Sequence, residues 1–309
     1  MTISGEFVHN INQMKKIRVL VNPKSGLQAS FDNMRKAIGQ YWDLPGNEVL
    51  YQFCKSPEDG YAKAKQAVAD EVDVVLVSGG DGTLSTISRA LIGTEVAVGI
   101  IPSGSGNGFA RHFEIPLGLQ KAVAVLSEAK SRKIDVGYVN NIPFFITCSM
   151  AWDASIVRSF EKSPVRGILP YIFAGINEFL IYDVQPMDVE IDGKETVHFE
   201  DPMVFTIANL TQFGGGAKIA PHAEDDNGLL ELVVALKKDM PILLPNINKL
   251  YDGTINEMNE IFTRSFEKLR VRRRNPTAIQ IDGELVEMPA ELNIKVLPTA
   301  LKVLVPTKA

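Results

Sequence analysis

Gly79, Gly80, Asp81, Gly82 and Thr83 stand between an apolar run, Val72 to Ser78, and a stretch that reads as a helix, Thr83 to Ile92. A glycine-rich turn at such a junction aims backbone N–H groups at one point. The helix dipole adds partial positive charge there, so the point suits a phosphate. An acid inside the turn would repel a bare phosphate. Asp81 makes sense if a divalent cation lies between its carboxylate and the phosphate oxygens, which points to a nucleoside triphosphate with Mg2+. The turn is neither a Walker-type G-x-x-x-x-G-K loop nor a G-x-G-x-x-G dinucleotide fingerprint. Gly-Gly-Asp-Gly is also ordinary turn chemistry, because glycine takes positive φ without strain.

A second glycine-rich turn, Pro102-Ser103-Gly104-Ser105-Gly106-Asn107-Gly108, follows the apolar run Val96 to Ile101. Two such turns at strand ends on one edge would bracket a polyphosphate, with serines and Asn107 donating hydrogen bonds. A third polar loop, Asn22-Pro23-Lys24-Ser25-Gly26, follows the run Ile17 to Val21. Farther on, Asp282-Gly283-Glu284 sets two carboxylates on one side of a bend. The pair can serve as general base and magnesium partner, or be two solvated acids of a hairpin.

The elements that must position these loops alternate. Strands are expected at Ile17 to Val21, Val49 to Cys54, Val72 to Val77 and Val96 to Ile101. Helices are expected at Phe31 to Tyr41, Glu58 to Ala69 (started by Ser56-Pro57), Thr83 to Ile92 and Leu117 to Ala129. Short apolar strands between helices imply a parallel sheet covered on both faces, with ligands beyond the C-terminal strand ends. After about Lys133 the pattern becomes strand after strand with Asp-Gly and Asn-Gly turns, an antiparallel sheet or sandwich. Helices near Pro170 to Tyr182 and Pro245 to Phe262 are expected to interrupt it.

The chain has 309 residues, 45% hydrophobic and 22% charged, with a formal net charge of −5. That is globular composition, sufficient for two domains and contrary to a general nucleic-acid binder. Cys54 and Cys148 cannot form a disulfide framework, and His9, His112, His198 and His222 lack metal spacing. Gly167 to Tyr182 is too short for a span, and Met1 to Gln13 is not a signal peptide, so a cytoplasmic location is expected. Arg270, Arg272 and Arg274 alternate along a strand, as a patch for anionic lipid headgroups or as a charged edge strand.

Val21-Asn22-Pro23-x-Ser25-Gly26, Gly79-Gly80-Asp81-Gly82-Thr83 and Pro102-x-Gly104-Ser105-Gly106-Asn107 together resemble the signature of the diacylglycerol kinase and sphingosine kinase catalytic domain, in particular of the bacterial soluble lipid kinases. That group shares its fold with NAD kinases. The resemblance runs on through Ile134-Asp135-Val136-Gly137, Ala151-Trp152-Asp153-Ala154, Gly214-Gly215-Gly216, Pro221-x-Ala223 and Asp282-Gly283-Glu284. Ser105 stands for the usual threonine, Ala151 for a glycine, and Asn227 for an aspartate in a loop where family members hold a structural magnesium.

The resemblance implies an α/β nucleotide-binding domain (residues 1–133 and 297–309) and a β-rich, antiparallel, sandwich-like lipid-substrate domain (residues 134–296). It implies ATP with Mg2+ as cofactors. Asn22, Ser25, Ser56, Gly79, Gly80, Gly82, Thr83, Gly104, Ser105 and Asn107 would hold the nucleotide. Asp81 would position metal and phosphates, Glu284 would take the hydroxyl proton with Asp282 in support, and Asp225, Asp226 and Asn227 would hold the structural metal. The expected reaction is phosphoryl transfer to a lipid hydroxyl, diacylglycerol first. The expected partner is a lipid at a membrane surface, reached by peripheral contact, with no nucleic acid and a homodimer left open. The alternatives are an NAD kinase-like enzyme for a soluble substrate and a non-catalytic nucleotide-binding regulator.

Overall fold

The structure is a computed structural model and describes residues 15–23, 28–152 and 184–307. Ser25, Asp153 and the helix expected at Pro170 to Tyr182 lie outside the described residues. The first part alternates as the apolar runs require: β1 (Lys16–Val21), α1 (Gln28–Tyr41), β2 (Glu48–Phe53), α2 (Pro57–Ala69), β3 (Val74–Gly79), α3 (Asp81–Ser88), β4 (Ala97–Pro102), α4 (Gly108–His112) and α5 (Leu119–Ser127). Every residue of β3 and β4 is buried, which is why their sequences show no alternation. The strands are parallel in the order β2-β1-β3-β4. Gly79 is the register partner of Pro102 and Val21 that of Ser78, so all three loops leave the sheet at one edge.

The second part is antiparallel. It contains β5 (Lys130–Val139), β6 (Ile142–Phe144), β7 (Thr147–Ser149), β8 (Met187–Ile191), β9 (Glu195–Phe199), β10 (Pro202–Ala208), β11 (Gln212–Gly214), β12 (Ala217–Lys218) and β13 (Leu230–Leu236). It continues with β14 (Ile261–Phe266), β15 (Lys268–Arg273), β16 (Thr277–Ile281), β17 (Glu284–Met288) and β18 (Glu291–Val305). One sheet runs β14-β13-β10-β7-β16-β17, and its apolar face, with Phe205, Leu232 and Ile279, meets Val189, Val271 and Leu292 of the other. β18 joins the two parts. It pairs antiparallel with β15 and β5, and its Val303 is the parallel partner of Val98 in β4. Its Leu301, Val303 and Leu304 belong to the core of the first part, its Leu292 and Ile294 to that of the second.

Two expectations change. The helix expected over Pro245 to Phe262 is instead a broken segment: helical turns Met240–Leu243 and Asn248–Asp252 with 3-10 turns around them. Pro241 and Pro245 each lack an N–H, and Gly253 ends the second turn at φ 76°. Phe262 belongs to β14, opposite Val234. The arginine strand is β15, and it lies inside the sheet between β8 and β18 rather than at an edge. Arg270 reaches Glu190 at 3.5 Å and Arg272 reaches Glu291 at 3.4 Å, while Arg273 is buried. Arg274 lies beyond the end of the strand.

Candidate active site

The two glycine turns touch. A β-carbon built on Gly104 would stand 2.7 Å from Gly80 Cα, and one on Gly80 would stand 3.1 Å from Gly104 Cα. Only glycine at both positions lets the backbones leaving β3 and β4 approach this closely. Gly80 caps the N-terminus of α3 with extended backbone. The first loop joins the pair through Asn22, whose Nδ2 donates to Thr83 Oγ1 at 2.8 Å. A β-carbon on Gly79 would collide with the Thr83 side chain.

Asp81 binds one turn to the other. Its Oδ2 accepts from the Gly108 amide at 2.9 Å and its Oδ1 from the Phe109 amide at 3.2 Å, so it satisfies the start of α4. Burial pushes its carboxyl up, against those amides and the Arg111 guanidinium. A carboxylate has about four acceptor directions, so these two amides, with the Asn107 amide also turned to it, leave one for a cation. Asn107 serves its own loop: left-handed at φ 50°, it accepts from the Gly104 amide at 3.0 Å and donates to the Gly104 carbonyl at 2.8 Å. Ser105 is exposed. Ser56 caps α2, its Oγ accepting from the Asp59 amide at 3.3 Å.

A further glycine run closes the same corner. The Gly215 amide donates to the Gly106 carbonyl at 3.3 Å, and Arg111 Nε donates to the same oxygen at 3.2 Å. Sequence reasoning passed over Arg111, although it is the first cation after the second turn.

The Asp282-Gly283 turn joins β16 and β17, with Ile281 paired to Glu284 and both turn residues at positive φ, 48° and 90°. This is a two-residue hairpin of the primed type. The two acids part company. Asp282 is buried and accepts four hydrogen bonds: from the amides of Phe145 (2.9 Å), Ile146 (2.8 Å) and Thr147 (3.2 Å) and from Ser85 Oγ (2.9 Å). Burial outweighs those bonds and lifts its carboxyl to about 6. Glu284 is exposed, and its Oε1 lies 3.4 Å from where a β-carbon on Gly82 would stand. One carboxylate anchors the hairpin and the other faces the first glycine turn.

Asp225, Asp226 and Asn227 are arranged for something other than a metal. Both Asp225 oxygens accept from the Arg132 guanidinium, and Asp226 Oδ2 accepts from it at 3.2 Å. His112 Nε2 lies 2.7 Å from Asp225 Oδ2. The Thr211 amide donates to Nδ1 at 3.2 Å, which puts the ring proton on Nε2. Asn227 Oδ1 accepts from the Leu229 amide at 2.9 Å. Burial pushes Asp225 up, but the hydrogen bonds from His112 and Arg132 and the guanidinium charge prevail and hold it down at about 2. A bidentate guanidinium already supplies the positive charge a cation would bring, so the set does not fit the expected structural magnesium. Among the described residues no group of three or more His, Cys, Asp or Glu could hold a metal ion.

Residues 16–139 match the diacylglycerol kinase catalytic domain, and residues 147–305 match the YegS C-terminal NAD kinase beta sandwich-like domain. The chain is 29% identical over 303 residues to a diacylglycerol kinase of Mycobacterium tuberculosis, covering 96% of each. It is 28% identical over 299 residues to a probable lipid kinase YegS-like of Pectobacterium atrosepticum, covering 93% of this chain and 96% of that one. A crystal structure of a diacylglycerol kinase from Bacillus anthracis superposes with a TM-score of 0.76 at 21% identity, over 94% of this chain and 97% of that one, which bears on the fold. The chain belongs to the diacylglycerol kinase and YegS-like lipid kinase family. It is a kinase with an α/β domain on a parallel sheet followed by an antiparallel β-rich domain. Among the described residues no helix is long and apolar enough to cross a membrane.

Proposed function

We propose that this kinase transfers the γ-phosphoryl group of ATP to the hydroxyl of a diacylglycerol-like lipid. The observation that carries the reading is Glu284 Oε1 beside Gly82, which sets a candidate base against the glycine turn best suited to phosphate. ATP with a divalent cation, bound across the two turns, supplies the phosphoryl group; Asp81 has an acceptor direction left for that cation. The amides of Gly80 to Thr83, at the start of α3, orient the phosphates. Glu284 accepts the lipid hydroxyl proton. Asp282, locked by three amides and Ser85, holds the hairpin so that Glu284 stays in place. Arg111, on the far side of Asp81, offsets negative charge in the corner.

The relatives named diacylglycerol kinase support the substrate class, and the Gly-Gly-Asp-Gly turn shared with NAD kinases is why a soluble substrate must be tested beside it. The test is phosphoryl transfer from labelled ATP to diacylglycerol in mixed micelles, to NAD, and to water with neither present. Label in the lipid fraction alone is the expected result. Label in NADP, or ATP hydrolysis with no acceptor dependence, would overturn it.

A further inference from the structure

The described residues expose ten large apolar side chains, and four of them, Ile242, Leu244, Ile247 and Tyr251, fall within one short stretch. Scattered exposed leucines are normal, whereas a contiguous group marks a contact surface. The stretch is the broken segment before β14. Met240 and Leu243 turn inward onto Met203, Ala235 and Ile255. Pro241 and Pro245 keep the chain from forming one regular helix, and the alternate side chains stand outward, 43% to 50% exposed at Leu244, Ile247 and Tyr251.

Its surroundings say what it meets. Lys237 and Lys238 lead into it exposed, Lys249 lies within it, and the Lys218 stem is 3.3 Å from a β-carbon built on Gly253 at its end. Between Asp239 and Asp252 the segment itself carries no Asp or Glu. A β-carbon on Gly216 would stand 3.9 Å from the Tyr251 ring and 3.5 Å from Arg111 Nη1, so the ridge adjoins the glycine run bonded to Gly106. A second copy of the chain would bring the exposed lysines of both copies into one seam, whereas anionic headgroups complement them. The arginine face of β15, by contrast, is paired with Glu190 and Glu291.

We propose that Ile242, Leu244, Ile247 and Tyr251 form the surface by which this kinase enters an anionic lipid bilayer, with Lys237, Lys238 and Lys249 meeting the headgroups. The proposal rests on the lipid-substrate reading. It places the bilayer beside the corner where the glycine loops converge. Apolar side chains supply the insertion, and the lysines add a salt-sensitive attraction screened over ~8 Å.

The test is sedimentation with vesicles of phosphatidylcholine, with and without phosphatidylglycerol, for wild type and an Ile242→Ser/Leu244→Ser/Ile247→Ser variant. Wild type should bind the anionic vesicles, and the variant should partition about 10–100-fold more weakly. A second variant, Ile247→Cys, is labelled with an environment-sensitive dye; Cys54 and Cys148 are buried and leave the new thiol as the reactive one. Its emission should shift blue on anionic vesicles. Unchanged emission, equal vesicle binding by wild type and the triple variant, or no binding by wild type would each overturn the proposal. So would a triple variant that changes only the sedimentation coefficient in free solution, the mark of a contact between copies. Phosphorylation of a water-soluble short-chain diacylglycerol is measured in parallel. If that fails while the dye shifts, the substrate reading fails and the docking surface stands. If the triple variant keeps that activity and loses vesicle binding, both stand.

Discussion

The Ser85 hydroxyl donates to Asp282 Oδ2 at 2.9 Å, across 197 residues of sequence. This bond ties the helix that follows the first glycine turn to the hairpin that carries Glu284. Asp282→Asn turns one acceptor oxygen into a donor against the amides of Phe145 or Ile146 and Thr147. The expected cost is about 1–3 kcal/mol in chemical denaturation, with a matching loss of turnover. Ser85→Ala should cost about 1 kcal/mol and lower kcat more than it changes the KM for ATP. Full stability in the Asp282→Asn protein would show that the buried carboxylate is not the anchor assigned here.

Glu284→Gln removes a proton acceptor and leaves the packing alone, since the side chain is exposed. A fall in kcat of about 10² to 10⁴ is expected, with ATP affinity little changed. Steady-state kinetics on dispersed lipid decides it; an active Glu284→Gln enzyme gives the base role to another group.

Gly104→Ala places a methyl 2.7 Å from Gly80 Cα, with backbone rather than a flexible side chain in the way. The two turns must separate. A shift on the order of 1 Å at a phosphate site costs roughly 10²-fold in rate, so turnover should fall by that much, and the backbone clash should lower stability by about 1–3 kcal/mol. Asp81→Ala is different in kind. It removes a cation partner and also strips the amides of Gly108 and Phe109 of their acceptor. Hydrogen exchange should therefore quicken in α4 as activity disappears; unchanged protection there would separate Asp81 from the second turn.

Asp225 holds its proton less tightly in the folded chain than in the unfolded one, about 2 against 3.8. Its contribution is thus present above about pH 4 and lost as pH falls from there towards 2, amounting to about 2 kcal/mol. Asp225→Asn should flatten that part of the stability profile. Arg132→Met should cost about 2 kcal/mol, and chelators should leave the melting temperature of the wild type unchanged. A chelator-sensitive melt would restore the metal at this loop.

The parallel sheet and its three loops were legible because buried parallel strands write continuous apolar runs, and glycine is demanded wherever backbones touch. The contact of Gly80 with Gly104 is a consequence of β3 lying beside β4, which the alternation of strand and helix already implies. The different fates of Asp282 and Glu284 were not legible as such: two residues apart in one turn, one is buried under the amides of Phe145, Ile146 and Thr147 and the Ser85 hydroxyl, and the other stays exposed beside Gly82. Arg132 and His112 carried no signal at all, since their partner Asp225 is about a hundred residues distant and only the fold brings them together. The segment from Pro245 to Phe262 misled because its apolar residues suit a helix, while Pro241, Pro245 and Gly253 break it and Phe262 is drawn into β14.

β18 has a consequence for how the protein is made. The sheet that begins with β1 stays open at β4 until residues 291–305 have been translated, because Val303 is the neighbour that covers that side. A nascent chain on the ribosome therefore carries its glycine loops for most of its synthesis on a sheet with a bare hydrogen-bonding edge, a condition that invites chaperones and pairing with other chains. Messages that terminate early would yield aggregation-prone fragments rather than a working half, and only chains synthesised through this strand would reach the folded state.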